Sequence, residues 1–119
     1  MIKTSIEMFR GDTAVLDLAV TTNGAPTDIT AWSFWLTAKV EPTDPDPGVF
    51  RVTNTDFTIL SAPAGTVRCK ILPAKTSGLQ ITSDTTYSFD IRGKESTNDV
   101  HTLANGTIKV LLGTTTSLT

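Results

Sequence analysis

Few side chains in this sequence could do chemistry: one cysteine, one histidine, two aspartates set among prolines, and an Arg-Gly-Asp tripeptide. A single cysteine, Cys69, excludes an intramolecular disulfide and any multi-cysteine zinc site. It alternates with Val67 and Ile71, so it reads as a small core residue. His101 could serve a nucleophilic triad only beside Ser or Cys and an orienting carboxylate. It opens a strand, and no nucleophile-elbow pattern occurs, so a surface or interface histidine is expected. Asp44 and Asp46 offer hard oxygen ligands of the kind calcium takes. The segment lacks the following acidic and glycine positions of a calcium loop, which makes it a solvated loop. Asp90 is expected to pair across strands with Arg68, Lys70 or Arg92, which is structure rather than catalysis.

Two further features could serve recognition. Arg10-Gly11-Asp12 is the tripeptide that integrins recognise on exposed loop tips. Here it sits tightly between two expected strands, where Gly11 permits a turn and Asp12 can accept backbone N–H groups. Trp35 points out of its sheet by alternation, and Leu111 or Val15 nearby would extend it into an apolar patch. Cover from a second sheet or a loop is the competing reading, and pattern alone leaves both open.

The elements that must position these residues are strands. Residues 85–113 organise the chain: Tyr87, Phe89 and Ile91 fall on one face, Ser88, Asp90 and Arg92 on the other. Residues 95–99 break the pattern, and 100–112 return, with Asn105-Gly106 marking a bulge or a tight turn. Upstream, 2–9 alternates with Ile2, Thr4, Ile6 and Met8 on one face, and 14–20 with Ala14, Leu16, Leu18 and Val20. Residues 22–26 form a turn, and 31–40 an aromatic strand with Trp32, Phe34, Leu36 and Ala38 inward. Ser33, Trp35, Thr37 and Lys39 then face outward. The run 42–48, PTDPDPG, cannot hold regular structure, because its prolines remove donors and fix φ. Short strands follow at 49–52, 57–60 and 66–72, then one 3₁₀ or α turn at 73–79.

Seven to nine short strands at intervals of about 8–12 residues indicate an all-β fold, an antiparallel immunoglobulin-like β-sandwich. A closed barrel is the alternative. One domain over 1–113 with a polar C-terminal tail over 114–119 is expected. A net charge of -2, with no run of four basic residues, argues against nucleic acid as a partner. Neither a secretory leader nor an apolar run of membrane length occurs, so no membrane insertion is expected and synthesis is placed in a cytoplasm. No residue pattern asks for a cofactor or a metal.

The order of motifs resembles the N-terminal domain of bacteriophage baseplate upper proteins and related tail-fibre proteins. That family's first strand leads into a Gly-Asp turn, here Gly11-Asp12. A strand-opening Asp-(Leu/Ile)-Thr follows, here Asp28-Ile29-Thr30. Later come a Tyr-x-(Tyr/Phe)-Asp-Ile strand, here 87–91, and Thr-Leu-x-x-Gly-x-(Ile/Phe)-x-Val, here 102–110. The resemblance covers nearly the whole chain and implies an immunoglobulin-like sandwich that docks onto other virion proteins in multiple copies. It implies no enzymatic role, a homo-oligomer, and a place in the virion after synthesis in the bacterial host cytoplasm. Family members usually continue into helical linkers and fibre or receptor-binding domains, whereas this sequence stops at Thr119, which suggests a free-standing accessory protein of tail, neck or head. The contacts expected to carry docking are Trp35, Leu111 and the proline loop with Asp44, Asp46 and Pro47. The alternative is a carbohydrate- or host-surface-binding module, with a sugar on Trp35 and its hydroxyls on Asp90 or Asn98.

Overall fold

A computed structural model describes residues 2–46 and 48–113, Ile2 by its backbone alone; Pro47 and the tail at 114–119 lie outside the described residues. Strands dominate: β1 (Ile2–Phe9), β2 (Ala14–Ala19), β3 (Thr21–Thr22), β4 (Ala25–Pro26) and β5 (Ser33–Lys39). After the proline loop come β6 (Phe50–Val52), β7 (Phe57–Ser61), β8 (Thr66–Ile71), β9 (Thr85–Lys94) and β10 (Val100–Leu111). One short helix, α1 (Ala74–Ser77), and a 3₁₀ turn (Asn54–Asp56) complete the described elements. The all-β sandwich expected from alternation is what forms. Eight strands of three residues or more are joined by a minimal β3–β4 hairpin. Asn23 and Gly24 close that hairpin with φ of 51° and 81°, the paired left-handed conformation such two-residue turns need.

Five strands form the larger sheet in the order β1-β10-β9-β5-β6, and three the smaller, β2-β8-β7. Their inner faces meet in one core. Phe34, Leu36, Ile91 and Ile108 come from the larger sheet, Val67, Cys69 and Ile71 from the smaller, and all are fully buried or nearly so. Burial of each large aliphatic or aromatic side chain contributes roughly 1.5–3 kcal/mol, so the alternation read in the sequence is also the source of stability. Ile29 seals one end, held where Asp28 accepts hydrogen bonds from the Thr30 N–H (2.9 Å) and hydroxyl (2.6 Å). Those bonds hold the Asp28 carboxyl below its usual range.

The sheets are not wholly antiparallel: β1 runs parallel to β10, from Ile2 beside Ala104 to Phe9 beside Leu111. This follows from the connection after β1, which crosses to the smaller sheet at Arg10-Gly11 instead of folding back on itself. Asn105-Gly106 therefore marks neither a turn nor a bulge. β10 runs unbroken through both residues, and the register shift lies between Thr102 and Ala104, with Leu103 as the extra residue. Gly106 serves a close approach: a Cβ there would fall 1.7 Å from the Thr4 carbonyl oxygen. Gly106→Ala should therefore push β1 off the sheet and cost about 2–3 kcal/mol, the upper part of the overpacking range. Urea denaturation checks this; an unchanged midpoint would show that β1 accommodates the methyl group.

Candidate functional site

Side chains on the outer face of the larger sheet alternate with the core residues, so strand register alone fixes who stands beside whom. One row crosses all five strands, Lys3–Asn105–Asp90–Thr37–Arg51. A second row sets Ser5, Thr107, Ser88 and Lys39 side by side. Trp35 stands directly across from Arg92, one step beyond the first row. The proline loop rises along one side, where Pro42 and Asp46 form a wall, and the face becomes a groove of about 1070 Å³. Thr37, expected to face water, is only 8% exposed on the floor of this groove.

Asp46 binds the Lys39 ammonium at 2.8 Å and approaches Arg51 at 4.0 Å. The Lys39 hydrogen bond, then its charge, with Arg51 and Arg92 further off, holds the Asp46 carboxyl below its usual range. Asp44 turns the other way and accepts the Glu41 N–H at 3.0 Å, bracing the loop. Asp44 and Asp46 thus serve loop geometry, and no group of three potential metal-ligating side chains occurs among the described residues.

Trp35 is half-buried on the groove floor, uncovered by the smaller sheet, which packs on the opposite face. The patch expected to join it to Leu111 or Val15 does not form. Leu111 pairs with Phe9 at the far end of the same face. Six residues of strand, about 20 Å, separate it from the Asn105 row. Val15 belongs to the smaller sheet, opposite Lys70. Asp90 lies 3.4 Å from Arg92 on its own strand, while Arg68 holds Asp17 across β2 and β8 at 2.8 and 3.1 Å. Asn98 sits in the β9–β10 turn at φ 74°, away from the residues lining the groove.

The remaining candidates take structural places. Arg10 donates to the Leu79 carbonyl at 3.0 Å, and the Gly11 N–H to the buried Thr76 hydroxyl at 2.9 Å. The tripeptide is thereby tied to α1 and not presented at a loop tip. His101 stacks on Trp32 with ring centroids 5.6 Å apart and is bonded to Glu95. Its neighbourhood, a shallow pocket with Thr21, Thr22 and Thr27, contains no serine or cysteine. Cys69 is fully buried, as its alternation implied.

No family model matches this chain, and no curated protein matches it. Among solved structures it is similar to a sialyltransferase from Photobacterium damsela, with a TM-score of 0.41 and 14% identity over 93% of this chain. A second is the 2,6-sialyltransferase of Vibrionaceae Photobacterium sp. JT-ISH-224, with a TM-score of 0.37 and 13% identity over 94%. The chain spans 18% of the length of either protein.

Burial, with a smaller push from Asp56, raises the Cys69 thiol from 9.0 to about 12. The unfolded chain therefore loses this proton first as pH rises. Stability is unaffected below pH 9.0 and should fall between 9.0 and about 12, by at most about 1.4 kcal/mol per pH unit. Cys69→Ala should lower stability at neutral pH yet remove this part of the alkaline slope. Urea titrations at several pH values check both effects.

Proposed function

We propose that the chain is a non-catalytic docking module of a bacteriophage virion, made in the host cytoplasm and assembled with other virion proteins or further copies of itself. Support comes from the sandwich that the motif resemblance implies, with its Gly11-Asp12 motif at the inter-sheet turn and residues 87–91 in the central strand β9. The observation that carries the reading is strand β7. It pairs on one side only, with β8, and forms an outer edge of the smaller sheet. Ile59 and Leu60 on it are 38% and 47% exposed. An edge strand bearing exposed aliphatic residues is a template for pairing with another chain. Phe9 beside Leu111 adds a separate apolar contact at the end of the larger sheet.

The groove favours a second reading, a saccharide- or host-surface-binding module. A half-buried tryptophan offers a flat apolar face to a sugar ring, and Thr37, Asp90 and Asn105, lining the same groove, offer donors and acceptors to hydroxyls. The two surfaces lie on different parts of the molecule, so one protein can dock through the edge and bind through the groove.

Light scattering over a concentration series tests the docking reading. The expected mass is a multiple of 12.7 kDa, or, for docking on a different protein, co-sedimentation with assembled particles. Leu60→Asp should abolish either association while leaving the thermal melt within a few degrees of wild type. A monomer at every concentration that also fails to co-sediment would overturn the docking reading.

A further inference from the structure

We infer that the groove around Trp35 selects an acidic saccharide, one carrying carboxylate or phosphate groups; this rests on the second reading above. The charge distribution is the first ground. The chain has a net charge of -2, yet Lys3, Lys39, Arg51, Arg92 and Lys94 all line this one groove. Only two carboxylates, Asp46 and Asp90, stand among them. These cations come from four strands, β1, β5, β6 and β9, so no basic run betrays them in the sequence. Gathering them costs mutual repulsion, which an anionic ligand would relieve.

Their placement around the aromatic ring is the second ground. Arg92 lies directly across from Trp35, and Lys94 two residues further along β9. Arg51 stands opposite Thr37, diagonal to the indole on its other side, within about 7–8 Å by strand geometry. Its Nε is buried with no hydrogen-bond partner, a donor left over beside the groove. Among the described residues Lys3 and Lys94 have no ion pair. A sugar ring stacked on Trp35 would thus find guanidinium groups on two sides, suited to bidentate contacts with a carboxylate or phosphate.

The rest of the lining separates this ligand from other anions. Ser5, Thr37, Ser88, Asn105 and Thr107 are short hydroxyl and amide groups, matched to a ligand rich in hydroxyls. An acidic polypeptide would want more apolar contact than one indole with Pro42 and Val100 supplies. A nucleic-acid strand would want several stacking rings, and Asp46 and Asp90 would repel its continuous phosphates. Those same carboxylates can accept bonds from sugar hydroxyls.

Calorimetric titration of the full chain decides the matter, using two matched pairs. Oligogalacturonate is compared with its methyl ester, and a phosphomannan oligosaccharide with its dephosphorylated form; oligothymidylate and poly-glutamate complete the set. At least one acidic sugar should bind roughly tenfold or more tightly than its neutral partner, with affinity falling as salt rises. Trp35→Ala should remove binding of both members of that pair, and Arg92→Gln the preference for the acidic one, with thermal melts near wild type. The pair that discriminates identifies the anion as carboxylate or phosphate. Equal binding of neutral and acidic sugars would overturn acid selectivity while leaving a saccharide module standing. Binding of only poly-glutamate or oligothymidylate would overturn both, and so would the absence of any binding.

Discussion

The contact on which the architecture depends is the parallel approach of β1 to β10 at Gly106. With hydrogen in place of Cβ, the backbone of Thr4 can lie where a side chain would otherwise stand. That approach makes the larger sheet five strands wide. It also brings Lys3 and Ser5 from one end of the chain alongside residues from its other half. The crossing at Arg10-Gly11 then commits β2 to the opposite sheet, pinned by the Thr76 hydroxyl and the Leu79 carbonyl. Sandwich and groove therefore share one origin. A wider gap between β1 and β10 would open the core and shorten the row of side chains that crosses the groove floor.

Periodicity told which face each residue occupies, and it did so well. Phe34, Leu36 and Ala38 are fully buried, as are Val67, Cys69 and Ile71 to within a per cent, and Tyr87, Phe89 and Ile91 line the core. Partners were a different matter, because alternation carries no information about which strand lies alongside. Alternation leaves Asp90 with Arg68, Lys70 or Arg92 as partners, whereas register places Arg68 opposite Asp17 and Asp90 beside Arg92. Leu111 and Trp35 do share a face, yet their distance along it depends on where β5 meets β9. The parallel pairing of β1 was illegible for the same reason. Gly106 looked like a local turn signal, while the constraint it answers sits a hundred residues away in Thr4.

Electrostatics shows the same division. Composition gives a slightly acidic chain with no basic run, which argues against nucleic acid as a partner. Two-residue spacing on neighbouring strands nonetheless stacks cations on one face. Arg92 and Lys94 are separated by buried Gly93, and Lys39 and Arg51 are brought together by β5 and β6. Mean charge describes the surface as a whole, whereas recognition depends on how register distributes charge over individual faces.

The wall of the groove raises the question of how firmly a surface loop can be shaped. Its ion pairs are exposed, with Asp46 more than half accessible to solvent, and pairs of that kind contribute little. Backbone geometry is the firmer restraint. The Val49 N–H donates to the Ala38 carbonyl at 2.8 Å and the Gly48 N–H to the Pro45 carbonyl at 3.0 Å. Gly48 adopts φ +66°, and a Cβ there would meet the Ala38 carbonyl oxygen at 2.5 Å. The loop leaves β5 and re-enters at β6 through a passage only glycine fits, after prolines that restrict what the unfolded chain could explore. Its position along the side of the groove is thus set by covalent and steric constraints before any charge is counted. Lys39 and Asp46 then tune a wall that is already standing, so ordering this part of the groove need not be drawn from the free energy of binding.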